Sequence, residues 1–128
     1  MLSAEESFTY YKIIMPDFEK LRRENPIIIW KKRLTFLTRL MQGKYINKAK
    51  KVLDNFISEL ENIKYKDSVE INRVVKEIVL KLNELNESGE FIDTLEREDI
   101  CLFISKAATV AGLIINQGDD ITQEYRTW

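Results

Sequence analysis

The sequence predicts an all-α fold, a single compact bundle of five or six mostly antiparallel helices. Three observations carry that reading. Apolar residues recur at three- and four-residue spacing almost throughout, no period-two stretch of any length interrupts them, and the breaks fall at recognisable caps. The chain has 128 residues, 45% of them hydrophobic and 32% charged. That balance suits one buried core and is unlike a generally disordered chain. Four Gly and two Pro leave no composition for a long linker, so residues 1–128 are expected to form one helical domain.

The elements follow in order. Ser3 is an N-cap candidate with Glu5 and Glu6 in the first turn, and Ala4, Phe8, Tyr11 and Met15 make the apolar stripe. Pro16 breaks that pattern and starts a short helix running to about Glu24. Asn25-Pro26 is a cap followed by a first-position proline. The helix it opens is expected to carry Ile27, Trp30, Leu34, Leu37 and Met41 on one face and to stop at Gly43. A further helix from about Asn47 to Lys64 places Ala49, Leu53, Phe56, Ile57, Leu60 and Ile63 in one stripe. Asp67-Ser68-Val69-Glu70 reads as a capping box, and the helix behind it carries Ile71, Val74, Val75, Ile78, Leu82 and Leu85 to an end near Ser88-Gly89. Asp93-Thr94 opens another, with Glu96, Glu98 and Asp99 near its start and Gly112 as its stop. Its inner face holds Ile100, Phe103, Ile104 and three alanines, small enough for close helix approach. Asp120 and Gln123 suggest a last capped turn whose Ile121, Tyr125 and Trp128 dock on the core.

What is missing constrains function. There is no histidine, which removes imidazole relays and imidazole metal ligands. The lone Cys101 lies in an apolar run and can form neither an intramolecular disulfide nor a paired-cysteine metal site. No apolar run approaches the ~20 residues of a membrane span, and the N-terminus is acidic where a secretory signal would be basic. A cytoplasmic protein with no membrane partner is the expectation.

The formal net charge of −1 conceals a strong segregation. Residues 20–51 sum to +10 and residues 84–128 to −7. The acidic region suggests docking of a protein partner through Glu96, Asp99, Asp119 and Asp120. The basic region, with Lys31, Lys32, Arg33 and Arg39 at its centre and Trp30, Phe36 and Tyr45 interleaved, suggests nucleic acid as the second reading. A third possibility is that the two regions face each other, within one molecule or between copies of a homodimer.

For catalysis, only paired carboxylates remain. Glu84 with Glu87, and Glu96 with Asp99, have the i, i+3 spacing of Mg²⁺-binding helices in all-α NTP pyrophosphohydrolases. Only eight residues separate Glu87 from Glu96, too few for two long antiparallel helices to present both pairs together. Helix-start acids account for the second pair without a metal.

Residues 95–128 carry a resemblance. They read Glu96-Arg97-Glu98-Asp99-Ile100-Cys101, then Ala107-Ala108 and Ala111-Gly112-Leu113, and close on Asp120-Ile121-Thr122-Gln123-Glu124-Tyr125-Arg126-Thr127-Trp128. This is similar to the ends of small all-helical bacterial proteins whose tails run roughly Asp-Ile-Thr-x-Glu-Trp-Arg-x-Trp, with Tyr125 here where they carry Trp. By size and class such proteins also resemble immunity proteins, which bind and block a toxin domain. The sequence-level conclusion is a non-enzymatic interaction module, immunity-type in its closest analogy, with no cofactor and no metal site.

Overall fold

A computed structural model describes residues 17–64 and 67–128. Four helices pack together: α1 (Pro26–Arg33), α2 (Phe36–Asn62), α3 (Ser68–Gly89) and α4 (Thr94–Ala111). Residues 17–23 are also helical, and no strand occurs among the described residues. The stripe expected from Ala4, Phe8, Tyr11 and Met15 lies outside the described residues.

The all-helical class stands; among the described residues four helices pack together beside the helical stretch 17–23, and the expected count of five or six is not confirmed. One merger and one break redraw the middle of the chain. The helix after Pro26 stops at Arg33, because Leu34 and Thr35 are extended and the Thr35 hydroxyl accepts from Thr38 N–H at 3.2 Å to start α2. Gly43 does not end a helix: α2 runs through it to Asn62. A glycine stop requires positive φ, and Gly43 is not among the residues that have it. The cost of one interior glycine, about 1 kcal/mol against alanine, is offset by the Ile46, Ala49, Leu53, Phe56, Ile57 and Leu60 face buried beyond it. Leu37 and Met41, expected in a buried stripe, are exposed as a consequence. The last turn is also shorter than a helix. Residues 121–125 form turns, closed by Tyr125 and Arg126 N–H donating to the Thr122 carbonyl.

Among the described residues, Asp67 and Asp93 precede α3 and α4 where the sequence puts them, although the Asp93 side chain makes no capping bond; Ser3 lies outside the described residues. Asp67 accepts from Glu70 N–H at 2.8 Å, although the Glu70 carboxylate turns to Arg73 and leaves the reciprocal half of the box unmade. Gly112, at φ 118°, ends α4. Glu90, at φ 46°, takes the left-handed position after α3.

The antiparallel pair α2/α3 is the frame: Gln42 meets Gly89 at one end and Glu59 meets Lys81 further along. Helix α4 seals this pair with Ile100, Phe103 and Ile104, and its buried Ala107, Ala108 and Ala111 let it lie close. Segment 17–23 contributes Phe18 and Leu21 to the same cluster. Asn25 ties the N-terminal part down. It is fully buried; its Oδ1 accepts from Ile27 N–H, capping α1, while its Nδ2 donates to the Lys50 carbonyl and to Asp54 on α2. No helix among the described residues is long and apolar enough to cross a membrane.

Candidate interaction surface

Helix α2 is longer than the bundle that supports it. Its first buried residue is Ile46, so its opening turns overhang the core. Gln42 bonds the carbonyls of Gly89 and Glu90, and Tyr45 packs at Gly89, which anchors the base of the overhang to the end of α3. Beyond that anchor, Phe36, Leu37, Leu40 and Met41 are 75, 68, 68 and 78% exposed. Their i, i+1, i+4, i+5 spacing places them on one helical face. Single exposed apolar side chains are ordinary; four on one face form the kind of patch that marks an interaction site.

Bases surround this arm. No acidic residue occurs between Asn25 and Leu53. Lys31, Lys32 and Arg33 occupy the last turn of α1, where the helix dipole favours cations. Lys32 and Arg33 are exposed and Lys31 is half-buried. Arg39 donates to the Lys31 carbonyl at 3.1 Å, closing the α1–α2 corner. Lys31, Leu34, Arg39, Gly43, Ile46 and Asn47 line a cleft of about 330 Å³ at that corner. The four bases of the expected basic surface are thus gathered at one corner, next to an apolar arm that spacing alone did not single out. The signal present in the sequence was a run of bases without acids; of the four apolar residues exposed here, spacing had assigned Leu37 and Met41 to the core stripe.

The four acids expected to contact a partner are not equivalent. Asp99 accepts from the Trp30 indole N–H at 3.0 Å and lies 3.6 Å from Arg33, so it docks α4 on α1. Asp120 holds the C-terminal tail. One of its oxygens accepts from both the N–H and the hydroxyl of Thr122, at 2.9 and 2.6 Å, and the other accepts from Arg126 at 2.9 Å. Partial burial pushes the Asp120 carboxyl up, but the Thr122 hydroxyl, the Thr122 N–H and Arg126 outweigh it, and the group sits below the ordinary carboxylate range. Glu96 is half-buried and Asp119 exposed, both without an ion pair among the described residues.

Around Asp120 the tail is firmly built. Thr122 is fully buried, and because its hydroxyl proton goes to Asp120 the Cys101 thiol donates to it, at 3.3 Å. Burial pushes that thiol's pKa up. Asn83 on α3 grips the backbone from both sides, donating to the Tyr125 carbonyl at 2.7 Å and accepting from Thr127 N–H at 3.1 Å. Ile121, Tyr125 and Trp128 pack partly buried against the core, as the sequence suggested.

The two regions touch, but their opposite charges hardly pair. Among the described residues two ion pairs join residues 20–51 to residues 84–128: Arg33–Asp99, and Lys106–Glu24, in which the signs are reversed. Among the described residues, Arg23, Lys31, Lys32, Lys44, Lys48 and Lys51 make no ion pair, and neither do Glu84, Glu87, Glu96, Glu98 and Asp119. The paired carboxylates do not assemble either: among the described residues no group of three or more Cys, Asp or Glu side chains is placed to hold a metal ion. No protein-family model, no curated protein and no solved structure matches this chain.

Proposed function

We propose that this chain is a non-enzymatic cytoplasmic protein-interaction module, and that it engages an acidic partner surface with the overhanging arm of α2. The observation that carries the reading is the exposed face of Phe36, Leu37, Leu40 and Met41 set among bases, of which Lys31, Lys32 and Lys44 have no ion pair among the described residues. An amphipathic helix that presents apolar anchors at this spacing docks into an apolar groove, and surrounding cations select an acidic rim and speed the encounter. Nucleic acid is less well served. Phosphates would be satisfied by the bases, but only Phe36 of the four exposed side chains offers a ring for stacking.

The test compares wild type with a Leu37→Asp/Leu40→Asp variant as baits in extract of cells that make the protein, with and without nuclease treatment. The captured protein is then purified and titrated against both. The reading expects binding that weakens with salt and falls at least tenfold in the variant, with the variant's thermal melt unchanged. If that protein is an enzyme, its inhibition by wild type alone is the immunity-type outcome. Equal binding by both baits, or retention that disappears with nuclease, overturns the proposal.

A further inference from the structure

The molecule carries a surface with the opposite character to the arm. Between α4 and the loop that precedes the tail lies an open groove of about 720 Å³, floored by Leu102, Val110 and Ile115. Leu102 is 70% exposed, and Ile114, next in the chain to the groove-lining Ile115, is 91% exposed. Glu98 and Asp119 line this groove, both exposed and neither in an ion pair among the described residues. The one base in the lining, Lys106, is taken up by Glu24 at 2.6 Å. The groove is therefore apolar at its base and acidic at its edge.

The arm is apolar on its face and basic at its flanks, with Lys44 one turn beyond Leu40 and free of any acid. Arm and groove match in both respects. They do not satisfy one another inside a single molecule, because both are exposed in the same chain. Face-to-face pairing of two arms is disfavoured, since it opposes bases to bases. Pairing of arm with groove puts unlike charges together and covers apolar surface on both sides.

We propose that a second copy of this chain is an occupant of the arm: the α2 arm of one molecule seats in the α4–tail groove of another. This rests on the arm being an interaction surface, and it names the partner. A reciprocal exchange closes a two-fold dimer with two such contacts, which brings a small contact toward the size of a stable interface.

Sedimentation of the full chain over a wide concentration range, at low and high salt, reads the association. Wild type is expected to dimerise with concentration and to do so less at high salt. Leu40→Asp on the arm is expected to weaken dimerisation at least tenfold. Lys44→Glu and Asp119→Lys are each expected to weaken it about tenfold alone. Their equimolar mixture is expected to recover it, since in a mixed dimer one contact carries both reversals and the other carries neither. A monomer at every concentration overturns the proposal, as does association indifferent to Leu40→Asp, or a mixture no better than its components. A monomeric wild type whose arm still binds a different acidic protein, or vesicles of phosphatidylglycerol, overturns self-association; the first of these leaves the arm's role in protein binding intact.

Discussion

At the scale of single residues, the structure separates charge that holds the fold from charge that is available. Asp120 and Asp99 belong to the first kind. For Asp99 the sequence could not show it, because Trp30 lies sixty-nine positions away; the partners of Asp120, Thr122 and Arg126, are close in sequence, but only the fold buries Thr122 and so makes the contact structural. The Asp120 carboxyl titrates below its unfolded value of about 3.9, so its contribution to stability is fully present above that value and is lost as pH falls through the folded-state value. Thermal melts on the acid side should therefore show wild type losing more stability than Asp120→Asn, which has already lost this contribution at neutral pH. The two curves staying parallel below about pH 4 would contradict the assignment. Cys101 supplies a second readout of the same contact. Its thiol lies against Thr122 and burial raises its pKa, so a thiol reagent should modify it slowly in wild type and markedly faster in Asp120→Asn, where the tail's hold on Thr122 is weakened.

At the scale of elements, the glycines and caps separate what was legible from what was not. Asn25-Pro26, Asp67 with Glu70, and Gly112 were readable because each acts through backbone atoms a few residues away. The break at Leu34-Thr35 was not. Ile27, Trp30, Leu34, Leu37 and Met41 continue an unbroken helical spacing, and only the turn of the chain at a threonine cap reveals that the two halves serve different surfaces. Gly43 and Gly89 look alike in sequence and differ in space. A Cβ at Gly43 meets nothing within 4 Å, whereas one at Gly89 would lie 2.5 Å from the Tyr45 ring. Gly43→Ala should stabilise the protein by up to about 1 kcal/mol through helix propensity and a less flexible unfolded chain. Gly89→Ala should destabilise it by roughly 1–3 kcal/mol, because the overlap with Tyr45 outweighs the same propensity gain. Chemical denaturation of the two variants decides this, and equal shifts would mean that the Tyr45–Gly89 contact does not form. Glu90, the residue that takes the left-handed cap, should conversely gain from Glu90→Gly by about 1 kcal/mol.

At the scale of the whole molecule, stability and interaction lie at different places on one helix. The part of α2 from Ile46 onward is welded to α3, to α4 and, through Asn25 and Arg22, to the N-terminal segment. The part before Gln42 touches little, so its apolar side chains contribute almost nothing to the core. Composition and periodicity, which find the core well, count Leu37 and Met41 as core because spacing cannot register where a neighbouring helix ends. That end is set by Gly89, forty-eight residues after Met41. A direct consequence is an uneven resistance to opening along α2. Amide hydrogens of residues 40–45 should exchange through local fraying, orders of magnitude faster than those of residues 50–60, which should require global unfolding. The Leu37→Asp/Leu40→Asp variant should leave the slow set unchanged and shift the melt by no more than about 0.5 kcal/mol, the range of ordinary surface changes. Leu53→Asp, on the same helix but with a fully buried side chain, should abolish the folded state. If the arm's amides instead exchange with those of the core, the arm is covered in solution by something that binds it as tightly as the bundle is folded, and the exchange pattern at dilutions where the chain is monomeric then reports whether that cover is a second copy.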